Sequence, residues 1–292
     1  MKLTRITVLM LAVAICIGMF ASCAPSQSKD LTSAKTLADL AGARIAAQSG
    51  TFHQKALTQI ENVQASDLPD FDQLLVALNM GTIDGYIAEK PTALTVCKAN
   101  KALTYVPLIN NDTGFTATDD QVGIAMGLKK GSELRERINA ILAEITPEQR
   151  AQLMQQAVDM AAGDKLDSLA ITVPETDGAN GVLKVAMECA YRPFNWTDTS
   201  SDATYGSVAI SGEGKDGLYA NGYDVQIARY VAAKLGMKLE IYQYAWDSLI
   251  PAVQSGSVDA IVAGMSPTED RAKEVDFTDT YYTSDLVVVI KK

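Results

Sequence analysis

Short apolar, β-branched runs alternate with helix-like segments along almost the whole chain, and that alternation sets the fold class as α/β with mixed or parallel sheets. The pattern predicts strand Arg44–Ser49, helix Thr51–Ile60, helix Asp70–Met80, strand Gly85–Glu89, helix Pro91–Ala99 and strand Leu103–Leu108. After a loop over 110–120, an extended stretch, Val122–Leu128, leads into amphipathic helices Glu133–Glu144 and Pro147–Ala162. The second opens on proline, whose missing N–H costs nothing in a first helical turn. The polar stretch 163–181, with Pro174 and an Asp-Gly pair, reads as a linker. Regular order then restarts with strand Leu183–Glu188, a Gly/Ser/Asp-rich loop over 197–221, helix Asp224–Leu235, strand Leu239–Tyr244, helix Asp247–Ser255 and strand Ala260–Gly264. A short helix follows Pro267, and a β-branched run, Asp285–Ile290, comes last.

Met1–Cys23 stands apart. Lys2 and Arg5 precede an apolar run, Ile6–Phe20, and then Ala21-Ser22-Cys23, the layout of a signal peptide ending in a lipobox. The run is shorter than the roughly 20 residues a membrane-spanning helix needs. Cys23 is therefore expected to carry lipid on an exported protein at the outer face of the cytoplasmic membrane, the lipid being its only membrane contact. Phe20 stands where such motifs usually have leucine, and ordinary cleavage without lipid is the alternative. Residues 24–35 read as a tether. Setting aside Lys2 and Arg5 reduces 25 basic residues to 23 against 35 acidic ones, which argues against a nucleic-acid partner. With Cys16 and Cys23 in the leader, Cys97 and Cys189 remain. They fall on different lobes in the reading below, where a bridge would jam a closing cleft, so two free thiols are expected. A single histidine, His53, and the lack of clustered ligand spacing argue against a metal site. No cofactor is implied.

The stretch from Ala263 to Arg271 (AGMSPTEDR) joins a strand end, a glycine-containing turn and a helix start. Exposed backbone N–H groups and a helix N-terminus favour an anion there, and the Arg271 fork can hold a carboxylate by two parallel hydrogen bonds. The alternative is a surface arginine paired with Glu274 or Asp270.

The company this stretch keeps decides between the two. LKVAMECAYRPFNW, GYDVQIARYVAAKLG, WDSLIPAVQSGSVDAIVAGMSPTEDR and VDFTDTYYTSDLVVV together resemble the first lobe of the family 3 solute-binding proteins, the periplasmic amino-acid-binding proteins. The resemblance implies a two-lobed, type II periplasmic-binding-protein-like fold. It also implies that Arg271 binds an α-carboxylate, with Ser266 and backbone groups of Ala263 and Gly264. Aromatics at Tyr191 and Trp246 would face each other across the ligand side chain, and Glu188 would touch its polar end. Earlier in the chain, DLAGARIAAQSGTFHQKAL, FDQLLVALNMGTIDGYIAEKPTAL and VGIAMGLKKGSELRERINAIL resemble the family's second lobe. There Gln48, Thr51 and Phe52 would finish the carboxylate cradle and Glu89 would bind the α-ammonium, with His53 a polar rim residue. Many relatives have aspartate at the Glu89 position. The function so implied is capture of a free polar or basic L-α-amino acid by a monomer that closes about a hinge and delivers it to an ABC permease and its ATPase. No catalytic step is implied; the alternatives are a lyase using Glu188 as proton donor, and a ligand sensor.

The two resemblances occur in the reverse of the family's order, as in a circular permutation. The expected layout is a second lobe at 36–120, a hinge crossing at 121–128, helices packing on the first lobe at 129–162, the linker at 163–181, and the first lobe at 182–292 ending in a hinge strand. A single covalent crossing between lobes follows, and Lys292 should lie near Leu31–Lys35. The rival is a fragment of a tandem duplication.

Overall fold

The computed structural model describes residues 28–108 and 113–292; the leader, Cys23 and residues 24–27 of the tether lie outside them. The strands, in chain order, are β1 (Arg44–Gln48), β2 (Gln64–Leu68), β3 (Gly85–Glu89), β4 (Leu103–Val106), β5 (Gly123–Ile124), β6 (Gly127–Leu128), β7 (Val182–Met187), β8 (Ala190–Tyr191), β9 (Asn195–Asp198), β10 (Val208–Ser211), β11 (Tyr219–Asn221), β12 (Lys238–Gln243), β13 (Ala260–Ile261), β14 (Asp276–Phe277), β15 (Tyr282–Thr283) and β16 (Leu286–Lys291). The helices are α1 (Phe52–Ala56), α2 (Phe71–Met80), α3 (Lys90–Ala99), α4 (Asp119–Val122), α5 (Leu134–Leu142), α6 (Pro147–Ala161), α7 (Tyr223–Lys234), α8 (Leu249–Ser255) and α9 (Glu269–Glu274).

Two sheets organise two lobes. The N-terminal lobe is built on the order β2-β1-β3-β16-β4, with β1 parallel to β2 and β3 and β16 antiparallel to both its neighbours. Ile45, Ala47, Ile87, Val288 and Ile290 bury against one layer, while Ala46, Tyr86, Ala88, Val287 and Val289 bury against the other. Successive strand residues face opposite ways, so near-continuous apolar runs are what a sheet covered on both faces requires. β2, with the polar sequence QASDL, is an exposed edge strand and gave no apolar signal by which to predict it. The helix expected over Thr51–Ile60 is α1 followed by a 3-10 turn, Leu57–Gln59.

The other lobe uses the order β14-β6-β13-β7-β12-β10-β11-β9-β8, with β7 parallel to β12 and β13. The supposed loop over 197–221 is therefore partly sheet: β9, β10 and β11 extend its edge. Nor is 163–181 a free linker. Ile171 is buried, Leu166, Leu169 and Val173 pack on the core, and Gln156 bonds to Ser168 and Ala170.

The expected single crossing is corrected by β16. Leu286 to Ile290 are five consecutive buried residues whose backbone groups and both side-chain faces find partners in the slot between β3 and β4. Residues 182–292 thus do not stay in one lobe, and the chain crosses twice, at β5 and at β15, which pair antiparallel (Tyr282 opposite Ile124, Thr283 opposite Gly123). The helices of 129–162 are likewise not confined to one lobe: α6 packs on both α7 and α3 and pairs with the latter through Lys98–Asp159 at 2.6 Å. Leu31 and Ala34, placed in the tether from sequence, are buried in the N-terminal lobe. Ser28 to Thr32 and Ile290 to Lys292 line one surface pocket. Cys97 and Cys189 are free thiols.

Candidate functional site

On the N-terminal lobe, β1 ends at Gln48 and turns into α1. Thr51 caps that helix, its hydroxyl accepting from the Gln54 N–H at 3.4 Å and donating to the Gln48 carbonyl at 2.7 Å. The turn buries Gln48, Thr51, Phe52 and His53 and leaves the Gly50 carbonyl facing the other lobe. At the end of β3, Glu89 is 4% exposed and one carboxylate oxygen lies 2.9 Å from His53 Nε2. His53, expected at a polar rim, is an interior residue, because α1 turns it inward onto Phe71 edge to face at 5.8 Å.

On the other lobe, the turn after β13 places Gly264 at φ +62°, where a Cβ would stand 2.8 Å from the Tyr191 ring. Glycine lets the backbone pass this ring closely. Tyr191, Ala263 and Ser266 are buried around it. The Gly264 N–H serves Asp224, a fully buried acid that also accepts from Asn195 (2.8 Å) and the Tyr281 hydroxyl (2.7 Å). Burial pushes Asp224 up to about 6, those bonds holding it down in part.

Arg271 donates to the Ser266 carbonyl at 3.0 Å and, across the cleft, to the Gly50 carbonyl at 3.1 Å, with its guanidinium 5.1 Å from the Trp246 ring. Among the described residues no carboxylate lies within ion-pair distance of it, neither Glu274 nor Asp270; Asp270 pairs instead with Lys55 and Lys273. Desolvation pulls Arg271 down to about 10, and the charge of Glu89 works the other way.

Further contacts fasten the lobes together. Gln48 donates to Glu188 at 2.7 Å, Lys55 meets Asp270 at 2.7 Å, and Phe71 stacks on Tyr191 with centroids 4.1 Å apart and planes within 10°. Tyr191 thus has Phe71 on its ring and Trp246 has the Arg271 guanidinium. Burial first, and then the charge of Asp70, pushes the Glu188 carboxyl up to about 8, against the opposing effect of the Gln48 bond. Five buried polar atoms without partners fall on residues of this region: His53 Nδ1, Glu89 Oε2, Thr92 Oγ1, Glu188 Oε2 and the Tyr191 hydroxyl. A cavity of about 490 Å³ opens beside Glu188, Trp246, Asp70, Asp247, Gln243 and Lys215; Arg271 and Glu89 lie outside it, where the lobes touch. A larger cavity, about 730 Å³, lies between α3, α6 and the crossing 280–285 and includes none of these residues.

Of the residues singled out from sequence, Gln48, Glu188, Tyr191, Trp246 and Arg271 make contacts between the lobes; Cys23 lies outside the described residues. Phe71, Asp70, Asp224 and the role of His53 were not anticipated. Asp70 had a visible local signal, since it caps α2 by accepting from the Gln73 N–H at 2.8 Å. The partners of Asp224 are 29 and 57 residues away and had none.

Residues 183–292 match the sequence profile of the bacterial extracellular solute-binding proteins, family 3. The chain is 42% identical over 80 residues to the arginine-binding extracellular protein ArtP of Bacillus subtilis, covering 27% of this chain and 31% of the relative. It is 35% identical over 112 residues to the L-cystine-binding protein TcyA of the same organism, covering 38% and 35%. A solved ancestral arginine-binding protein bound to arginine is 36% identical over 35% of this chain and 38% of that one, with a TM-score of 0.28. The chain spans about a third of the length of the curated relatives it matches. No helix among the described residues is long and apolar enough to cross a membrane. Segment 183–292, which contains Glu188, Tyr191, Trp246, Ser266 and Arg271, is therefore similar in sequence to the bacterial extracellular solute-binding proteins, family 3.

Proposed function

We propose that this protein is the receptor of an amino-acid ABC importer, taking a free L-α-amino acid with a polar or basic side chain between its lobes. One observation carries the reading: a desolvated guanidinium without a carboxylate, Arg271, faces a buried carboxylate with one bare oxygen, Glu89, across the cleft. The carboxylate and ammonium of an amino acid complement these two groups and no others in its backbone. The cavity beside Glu188 receives the side chain. Asp70, Asp72 and Asp247 all act electrostatically on Glu188, which favours a cationic end. Because the lobes touch over Arg271 and Glu89, entry requires opening about the paired crossings β5 and β15, and ligand drives closure. Cys23 supplies a lipid anchor, a permease and its ATPase receive the closed form, and the receptor is a monomer.

The chain order is that of a circular permutant. The match to family 3 lies in the last part of the chain, and residues 28–32 line one surface pocket with Lys292. A thermal-shift screen across the amino acids tests the reading: at least one basic or polar amino acid should raise the melting temperature, and a flat response to all would refute it.

A second reading rests on Glu188, which at about 8 is a protonated acid near neutral pH and so a possible proton donor for a lyase. Recovery of a bound amino acid unchanged after prolonged incubation decides for binding; conversion to a dehydrated product decides for the lyase.

A further inference from the structure

His53 sits one turn from the Gly50 carbonyl, on the helix whose N-terminus faces the cleft, and it is 6% exposed. Its Nε2 is 2.9 Å from Glu89 Oε1, its ring meets Phe71 edge on, and its Nδ1 has no partner; neither has Glu89 Oε2. A neutral ring with its proton on Nε2 satisfies Glu89 Oε1 and leaves Nδ1 as a bare lone pair. A doubly protonated ring would bury an N–H with no acceptor, which is the rarer and costlier kind of orphan. The neutral ring therefore fits this setting, and it fixes the carboxylate without neutralising it.

We propose that His53 is a positioning residue for the ligand's ammonium group: it holds one oxygen of Glu89 and presents the other, and protonating it weakens binding. The proposal rests on the amino-acid-receptor reading above. The charge of Glu89 acts on Arg271 and Asp224 from the other lobe and on Tyr282 from the crossing, while Lys55, on the helix of His53 itself, pairs outward with Asp270. A cationic imidazole would join Arg271 in opposing an incoming ammonium and would compete with it for Glu89. Ligand binding and proton uptake at His53 therefore oppose each other, and affinity falls as the pH falls.

The chain has a single histidine, so nitrogen NMR of untagged protein reads this imidazole without assignment. Near neutral pH and without ligand, the Nε2–H tautomer is expected. A ring protonated on both nitrogens, or on Nδ1 alone, overturns the proposal whether or not an amino acid binds. With L-arginine and L-glutamine as probes, affinity of the native protein should fall about tenfold or more between about pH 7.5 and about 5.5. His53→Gln keeps a donor but cannot titrate. It should lose most of the pH dependence, the ratio of the two profiles cancelling the titration of Glu188 common to both. Parallel profiles overturn the proposal and leave the receptor reading intact. Failure of both probes to bind native protein at the upper pH overturns the ammonium role together with that reading.

Discussion

Glu188 is an acid buried among acids, and its surroundings penalise its charge rather than hold it. The carboxyl is raised from 4.5 to about 8, mainly by desolvation and then by Asp70, so the folded state retains a proton that an unfolded chain releases. The sign follows: this contribution to stability is fully present below 4.5 and is lost as the pH rises towards about 8. Its size is at most about 5 kcal/mol, and opening of the lobes, which rehydrates the group, reduces it. Ligand-free native protein should therefore lose thermal stability relative to Glu188→Gln over that window, as calorimetry at a series of pH values would record. Parallel curves would show that Glu188 is solvated. Arg271 makes the opposite demand, a cation without an anion. Arg271→Ala should cost every amino acid at least about 100-fold in affinity by titration calorimetry, whereas Glu188→Gln should chiefly weaken those with a cationic end.

At the scale of elements, the cleft depends on how strand ends are tied to one another. Asp224, at the start of α7, accepts from Asn195 at the start of β9 and from Tyr281 before β15, and the Gly264 N–H in the turn after β13 also serves it. One buried side chain thus joins the wall of the site to the strand that forms half the hinge. Asp224→Ala leaves those donors buried without an acceptor, and a loss of about 3 kcal/mol is expected, read as a lower urea midpoint at unchanged slope. Tyr281→Phe removes one of the bonds and should cost less, about 1 kcal/mol. Lys55→Ala removes an exposed bridge between α1 and α9 and should change stability by well under 1 kcal/mol.

For the whole molecule, the two crossings decide how the lobes can move. β5 and β15 pair as an antiparallel ribbon, and both continue covalently into both lobes, so bending is shared between two strands and not borne by one. α6 spans the same junction from behind through its contacts with α3 and α7. The surface pocket that residues 28–32 line with Lys292 makes a further test possible. A chain in which a short linker joins Lys292 to Leu31, and which opens at Gly178, should fold with native circular dichroism and keep its ligand response. Permutation at exposed sites whose ends lie close is ordinarily tolerated. An aggregated or molten product would tell against the permuted reading.

Much was legible in the residue order, and the reason is local. Period-two apolar runs and capped helices read out of stretches of five to fifteen residues, which is why β1, β3, α2, α3, α7 and β12 stand close to where their patterns put them. The candidate site residues were marked by the resemblance to a family and not by periodicity; they stand at strand ends and the turns after them. What lay beyond the sequence was settled by contacts between distant segments. β16 reads as a strand anywhere, and only the open slot between β3 and β4, where both ladders and both faces can be satisfied at once, assigns it to the N-terminal lobe and creates the second crossing. β2 is too polar to announce itself and exists because β1 offers it an edge. His53 reads as a surface residue by composition, and it is interior because Glu89, 36 positions on, and Phe71 meet it there. Local periodicity determined the elements; burial and pairing across the fold determined which lobe each strand serves and which charges face one another.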